Sequence, residues 1–246
     1  MLTRNRPWRA DLSRSLHLFR EFGHEQSDPA RFYTALALDS AQQLASYHDL
    51  SGQLMLDVGG GPGYFRDAFE AEGVTYVALD ADVGELAGAG SIDRRTVIGS
   101  GMQLPFGTGS VDVCYSSNVL EHVPDPWLMA EEMVRVTRPG GLVFISYTTW
   151  FGPWGGHETS PRHYLGGRRA RRAYAARHGH EPKNKFGESL FAVTVAQGLR
   201  WARRQEGAEV LHVLPRYNPW WSRWLLRVPV LREVVTWNLV LVLRKK

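Results

Sequence analysis

The segment Leu54-Met55-Leu56-Asp57-Val58-Gly59-Gly60-Gly61-Pro62-Gly63-Tyr64-Phe65 constrains the fold of this chain more than any other. An apolar run ending in glycines lets the backbone turn sharply and approach a ligand with no Cβ in the way. A helix that follows presents unpaired N–H groups and its positive dipole end to that ligand. Three kinds of site share this plan. A P-loop needs a Gly-Lys-Ser/Thr ending, which is absent. The dinucleotide fingerprint G-x-G-x-x-G/A, counted from Gly59 and Gly61, puts Tyr64 where close helix–strand packing needs a small residue. What remains is an acid-x-G-x-G-x-G arrangement of Asp57, Gly59, Gly61 and Gly63. Its acid at the strand end suits a positively charged ligand, not a pyrophosphate. The next apolar run ends Val77-Ala78-Leu79-Asp80. An acid about 20 residues past the glycines can accept hydrogen bonds from ribose hydroxyls, although a lone Asp at a strand end also serves as a helix cap.

Around this loop, strands and helices alternate. Strands are expected at 54–58, 74–79, 95–98, 111–115 and 142–147. Helices are expected at 64–72 and 126–137, the second stopped by Arg138-Pro139-Gly140-Gly141. This spacing predicts a parallel sheet wound on both faces. Residues 1–50 read as helices, with Leu12, Leu16, Phe19 and Phe22 in one segment and Phe32, Leu36, Leu44 and Tyr47 in another. Ser27-Asp28-Pro29 between them looks like an N-cap and a first-turn proline. Residues 148–188, rich in Gly, Pro, Trp, His and Arg, read as an insertion or lid. A helix at 189–205 and strands at 208–214 and 234–243 close the chain, with the long apolar stretch 215–233 between the strands. A chain of 246 residues and 43% hydrophobic content fits one domain with this insertion.

These blocks resemble the class I S-adenosylmethionine-dependent methyltransferases, especially the ubiquinone/menaquinone-type and small-molecule group. Ser100-Gly101-Met102-Gln103-Leu104-Pro105-Phe106 is similar to the family's segment after strand three, where many members have Asp in place of Ser100. The stretch from Ser110 through Ser117-Asn118-Val119-Leu120-Glu121-His122-Val123 is similar to strand four and its loop, and Arg138-Pro139-Gly140-Gly141 to the turn before strand five. The resemblance implies a Rossmann-like, doubly wound, seven-stranded sheet, mostly parallel with one antiparallel strand at 234–243. The implied cofactor is S-adenosyl-L-methionine, whose cationic amino group and sulfonium suit a nearby carboxylate. Its site would comprise Asp57, Gly59, Gly60, Gly61, Gly63 and Tyr64, then Asp80 and Ala81. Ser100, Gly101 and Met102 would lie at the adenine, and Ser117 and Asn118 after strand four. Residues 155–167 also look like an actinobacterial subgroup.

Methyl transfer is an in-line attack on the sulfonium methyl, helped mainly by alignment and exclusion of water. A hydroxyl or carbon nucleophile also needs a base, expected beyond strands four and five. His157, accompanied by Glu158 and glycines, is the first candidate, with His122 and His163 beside it; His122 also fits an orienting role. His157-Glu158…His163 is not the H-E-x-x-H zinc pattern, Pro161 interrupts it, and no metal is expected. His178 and His180 read as surface residues.

The lone Cys114 sits in an apolar run and reads as a small buried hydrophobe, which leaves no intramolecular disulfide. Met1 to Arg6 lead into a polar segment without a signal-like apolar region, and no apolar run approaches the roughly 20 residues of a membrane helix. A cytoplasmic protein is expected, with contact to the inner face of the membrane as one reading. The net charge of +4 is concentrated in Arg168, Arg169, Arg171, Arg172 and Arg177, and in Arg223, Arg227 and Arg232 among tryptophans. Each cluster reads either as a solvated face or as an anion-attracting patch. Trp220, Trp221, Trp224, Leu225 and Leu226 either cap a pocket or form an interfacial segment against anionic lipid. The leading expectation is O-methylation of a small-molecule or lipid-linked acceptor, such as a cell-envelope glycolipid. C-methylation of a quinone-type ring is an alternative. Nucleic acid is disfavoured because Ser116-Ser117-Asn118-Val119 replaces the Asn/Asp-Pro-Pro-Tyr motif that grips an exocyclic base amine.

Overall fold

The computed structural model describes residues 8–24, 27–84 and 95–246, so the expectation placed on Met1 to Arg6 lies outside the described residues. Seven strands form one sheet: β1 Leu54–Val58, β2 Thr75–Asp80, β3 Thr96–Ile98, β4 Val111–Ser117, β5 Thr137–Thr148, β6 Ala208–Pro215 and β7 Asn238–Lys245. Their order is β3-β2-β1-β4-β5-β7-β6. β7 runs antiparallel to both β5 and β6, while the pairs from β3 across to β5 are parallel. This is the expected mostly parallel sheet with one reversed strand. The chain changes direction across the sheet between β1 and β4, and the carboxyl ends of these strands meet there, where open α/β sheets bind ligands.

Successive residues of a strand point to opposite faces, and both faces are covered. Met55, Val113, Tyr115, Phe144 and Val242 pack against Phe32, Leu36 and Leu44 of α2 (Pro29–Ala45) and Phe69 of α3 (Arg66–Glu70). Leu56, Val58, Cys114, Val143 and Leu241 pack against Met129 and Met133 of α4 (Pro126–Val136) and Trp201 of α6 (Val195–Arg204). Cys114 is a fully buried free thiol. Asp28 caps α2 by accepting from the Arg31 amide, with Pro29 in the first turn, as its sequence predicts.

Several boundaries differ, each for a local reason. Residues 64–72 are helical only over Arg66–Glu70, which begins without a side-chain cap and ends before Gly73 at φ +87°. Arg138 to Gly141 do not end before β5 but belong to it, as a bulge opposite Val111 and Val113. Gly141 is required there, because a Cβ would press on the Asp112 and Arg138 carbonyls. The helix expected from 189 starts at Val195, where Thr194 and Gln197 form a capping box and the Glu233 carboxylate accepts the Val195 and Ala196 amides. Residues 189–193 instead bridge neighbours, Phe191 N–H donating to the Glu121 carbonyl and Trp150 N–H to the Val193 carbonyl. Val234 and Val235 end the short helix α7 (Leu231–Val235), and β7 begins at Asn238. Residues 148–188 contain α5 (Gly167–His178) and two 3-10 turns, His157–Thr159 and Arg162–Leu165.

α1 (Leu12–Phe22) turns its apolar stripe outward: Leu12 is 55% exposed, Leu16 47% and Phe19 49%. Its inner side is polar in part because Arg14 pairs with Asp39 at 2.6 Å and Glu21 with Arg31 at 2.6 Å. No described helix is long and apolar enough to cross a membrane.

Candidate active site

At the end of β1, Gly59, Gly61 and Gly63 all have positive φ, at +81°, +48° and +83°. Gly59 also has no room for a side chain, since a Cβ there would collide with Val119. At Gly61 a Cβ would meet nothing within 4 Å, so the loop is open on that side. The Gly59 and Gly60 amides donate to the Leu79 carbonyl, and the Gly61 amide donates to Asp80 Oδ2 at 3.0 Å. The other Asp80 oxygen accepts from the Asp82 amide at 2.9 Å, so one carboxylate fastens the glycine loop to the turn carrying exposed Ala81.

Asp57 lies beneath this loop, 2% exposed, and accepts a hydrogen bond from the Tyr76 hydroxyl. Burial pushes its carboxyl up to about 7, and the Tyr76 hydrogen bond opposes that rise. A cationic ligand nearby favours the ionised form. Tyr64, 38% exposed, stacks flat on Tyr33 of α2 with ring centroids 5.2 Å apart. Past β3, the Ser100 hydroxyl accepts from the Met102 amide. A Cβ on Gly101 would press against Met129 and Val58. Glu132 and Arg135 of α4 fix the following segment through the Leu104 amide and the Leu104 and Phe106 carbonyls.

Ser117 and Asn118 leave the end of β4. Asn118 has φ +58° and its Oδ1 accepts from Asn238 Nδ2 at 2.6 Å. Ser117 has a partner that no local pattern in the sequence announces. The guanidinium of Arg216, fully buried just past β6, donates to Ser117 Oγ at 2.7 Å, Ser146 Oγ at 2.6 Å and Ser40 Oγ at 2.7 Å. Its only local signal is an arginine closing an apolar run; the three serines lie on β4, β5 and α2.

The three histidine candidates separate into a pair and a single residue. His122 and His157 meet edge to face with ring centroids 5.0 Å apart, beside Glu121. His122 Nδ1 lies 2.7 Å from the Ser189 carbonyl and so donates to it. Burial lowers the His157 imidazole to about 4, which keeps it neutral at neutral pH. Its sequence neighbour Glu158 instead accepts from Asn184 at 2.9 Å. His163, 1% exposed, packs against Trp150 at 5.2 Å, and burial also lowers its pKa. His178 and His180 are exposed.

A family profile described as a methyltransferase domain matches residues 56–145. An uncharacterized methyltransferase of Mycobacterium marinum is 54% identical, with 96% of this chain and 95% of the relative covered. A counterpart from Mycobacterium tuberculosis is 53% identical, covering 96% of each. Among solved structures, an S-adenosylmethionine-dependent methyltransferase from Mesorhizobium loti superposes with a TM-score of 0.57 at 21% identity, over 87% of this chain and 98% of that one. A geranyl diphosphate C-methyltransferase from Streptomyces coelicolor gives 0.53 at 12% identity, over 84% and 75%. These two share the fold. Glycine loop, strand order and nearly full-length relatives agree: the chain belongs to the class I S-adenosylmethionine-dependent methyltransferases, and S-adenosylmethionine is its methyl donor.

Proposed function

We propose that the enzyme methylates a hydroxyl oxygen of a lipid-linked acceptor, with a membrane glycolipid as the fitting class, while docked on the inner face of the membrane. The observation that carries this reading is an apolar surface of unusual composition. Trp220, Trp221 and Trp224 are 61%, 54% and 53% exposed on the 3-10 segment Trp220–Arg227, and Val230, Leu231 and Val234 follow them outward. The Trp220 amide donates to the Ala10 carbonyl, which joins this segment to the start of α1 and its exposed leucines. Phe19 packs on Trp237, and Trp237 on Trp154, which carries the apolar surface to residues 148–188. Exposed apolar patches of this kind mark interaction sites. Tryptophans interleaved with Arg223 and Arg227 have the composition of an interfacial segment that rests among headgroups.

A glycolipid combines an apolar anchor with free hydroxyls. In the transfer, the hydroxyl proton leaves, an oxygen lone pair forms the O–C bond, the S–C bond breaks, and the donor departs as a neutral thioether. Neutral His157, with His122 beside it, is the candidate proton acceptor. Donor-binding residues Asp57, Gly59, Gly60, Gly61, Gly63, Tyr64, Asp80, Ala81, Ser100, Gly101, Met102, Ser117 and Asn118 would hold the cofactor across the ends of β1, β2, β3 and β4. The arginines of α5 favour nucleic acid less than their number suggests, because Arg171 is engaged by Glu181 and Glu188 at 2.6 and 2.8 Å.

Incubation with methyl-labelled donor and, separately, membrane lipid extract, RNA and polar metabolites tests the proposal. Label is expected in the organic-soluble lipid, as an ether. Label in RNA or in a carbon-bound methyl contradicts it.

A further inference from the structure

We propose that Glu121, His122 and His157 bind one divalent transition-metal ion whose open coordination positions take the acceptor's hydroxyl oxygen. Each of the three offers a ligand atom, and these atoms all lie within 4.8 Å of one another. Glu121 and His122 come from the 3-10 turn Leu120–His122 that follows β4, and His157 from the turn His157–Thr159 that follows β5. The set therefore stands on the carboxyl-end side of the sheet, where a methyl acceptor must arrive. A sequence pattern does not reveal it, because its members come from two separate segments.

Two features distinguish the cluster from an ordinary packed group. Glu121 is 1% exposed; its Oε1 accepts from the Thr148 amide at 2.9 Å, yet its Oε2 is buried with no hydrogen-bond partner. A buried carboxylate oxygen left unpaired is costly, and a cation removes that cost. His122 Nδ1 donates to the Ser189 carbonyl, which leaves the lone pair on Nε2. Metal-binding histidines are oriented in this way, with one ring nitrogen tied to a carbonyl or carboxylate and the other free to ligate. His157 adds a second imidazole whose Nδ1 is buried without a partner, on a backbone held at φ +49°.

Two imidazoles and one carboxylate suit zinc, cobalt, manganese or iron, whereas magnesium prefers oxygen alone. Ligand distances of about 2.0–2.2 Å put neighbouring donors about 3.3 Å apart, so the three side chains close by at most about 1.5 Å on binding. Three protein ligands leave positions open, as in catalytic sites. A hydroxyl bound there loses its proton to solvent more readily, so with metal bound His157 acts as a ligand in place of the proton acceptor named above, and the resulting alkoxide attacks the sulfonium methyl, forming the O–C bond as the S–C bond breaks. The oxygen-ligand role rests on the proposed O-methylation; the metal site itself does not.

Chelator-stripped protein titrated with Co²⁺ tests the site directly. One equivalent is expected to bind with visible d–d bands, and Glu121→Gln and His157→Asn are each expected to weaken it by about 100-fold or more. Calorimetry of S-adenosylmethionine on the same variants checks that they remain folded and able to bind donor. His180→Asn, on the exposed His178 and His180 pair, is expected to leave Co²⁺ binding unchanged. Absence of a Co²⁺ spectrum in the wild-type chain overturns the proposal whatever the variants do. Equal affinity in wild type and His157→Asn overturns it too, as does loss of binding only in His180→Asn. If Co²⁺ binds as expected but lipid is not methylated, the acceptor assignment fails and the metal site stands.

Discussion

Between Leu54 and Phe106, the described donor-site groups are held by backbone, by a neighbouring strand or by one adjoining helix. Asp80 grips the Gly61 amide, Tyr76 on β2 grips Asp57 on β1, and Glu132 with Arg135 straps Leu104 and Phe106. Beyond β5 the construction differs. His157 meets Glu121 and His122 from another segment, and Arg216 gathers hydroxyls from α2, β4 and β5. The first region is a local turn whose geometry allows few residue types. The second is a set of side chains converging from distant segments at the carboxyl ends of β4 and β5. The first region suits the donor that the family shares, and the second is where the proposed acceptor would meet it.

The sharpest way to break this contrast is Gly61→Arg. Its side chain enters the open space above the loop, so donor affinity measured by calorimetry is expected to fall by more than about 1,000-fold. Stability should fall by only about 1–2 kcal/mol, the cost of a side chain at positive φ. Donor binding within tenfold of wild type would show that the loop does not hold the cofactor.

Arg216→Ala should cost about 4 kcal/mol in urea unfolding, because it leaves a cavity and removes the donor to the Ser117 and Ser146 hydroxyls in the interior, while Ser40 keeps its bond to the Leu36 carbonyl. A small loss would mean that the serines find other partners, and that Arg216 does not hold β4, β5 and α2 together.

The next effect is a pH dependence. The Asp57 carboxyl is raised above its unfolded value to about 7, so its contribution to stability is fully present below about 4 and lost as pH rises through 7. The loss is at most about 4 kcal/mol. Unfolding free energies compared between wild type and Asp57→Asn should diverge across that window, and saturating donor should narrow the divergence by favouring the carboxylate. Parallel pH curves for the two chains would contradict the burial of Asp57.

Smallest is Arg171→Ala, which removes two exposed ion pairs with Glu181 and Glu188. It should leave the urea midpoint unchanged, since solvent screens such pairs.

How far the sequence was legible follows the same division. β1 matched its predicted bounds because an apolar run closed by glycines has one reading, and Asp28-Pro29 marked the start of α2 for the same local reason. The start of α6 carries a local signal, the Thr194–Gln197 capping box, which the expectation of a helix from 189 passed over; the Glu233 carboxylate that reinforces it comes from far along the chain and is not legible locally. The apolar spacing of α1 predicted the helix but not its outward-facing stripe, because periodicity gives a face without saying what covers it. At the site, the glycines and acids advertised themselves through spacing. Glu121 and Arg216 did not, since their meaning lies in partners from other elements.

The independence of donor and acceptor regions is tested most directly by Trp221→Ala/Trp224→Ala. Donor affinity by calorimetry should be measured beside labelled methyl transfer into vesicle-embedded lipid extract. The expected result is an unchanged donor Kd with transfer reduced at least about tenfold, a loss of about 1.4 kcal/mol or more in productive acceptor engagement. A donor Kd that weakens in step with transfer, or transfer that is unaffected, would contradict it.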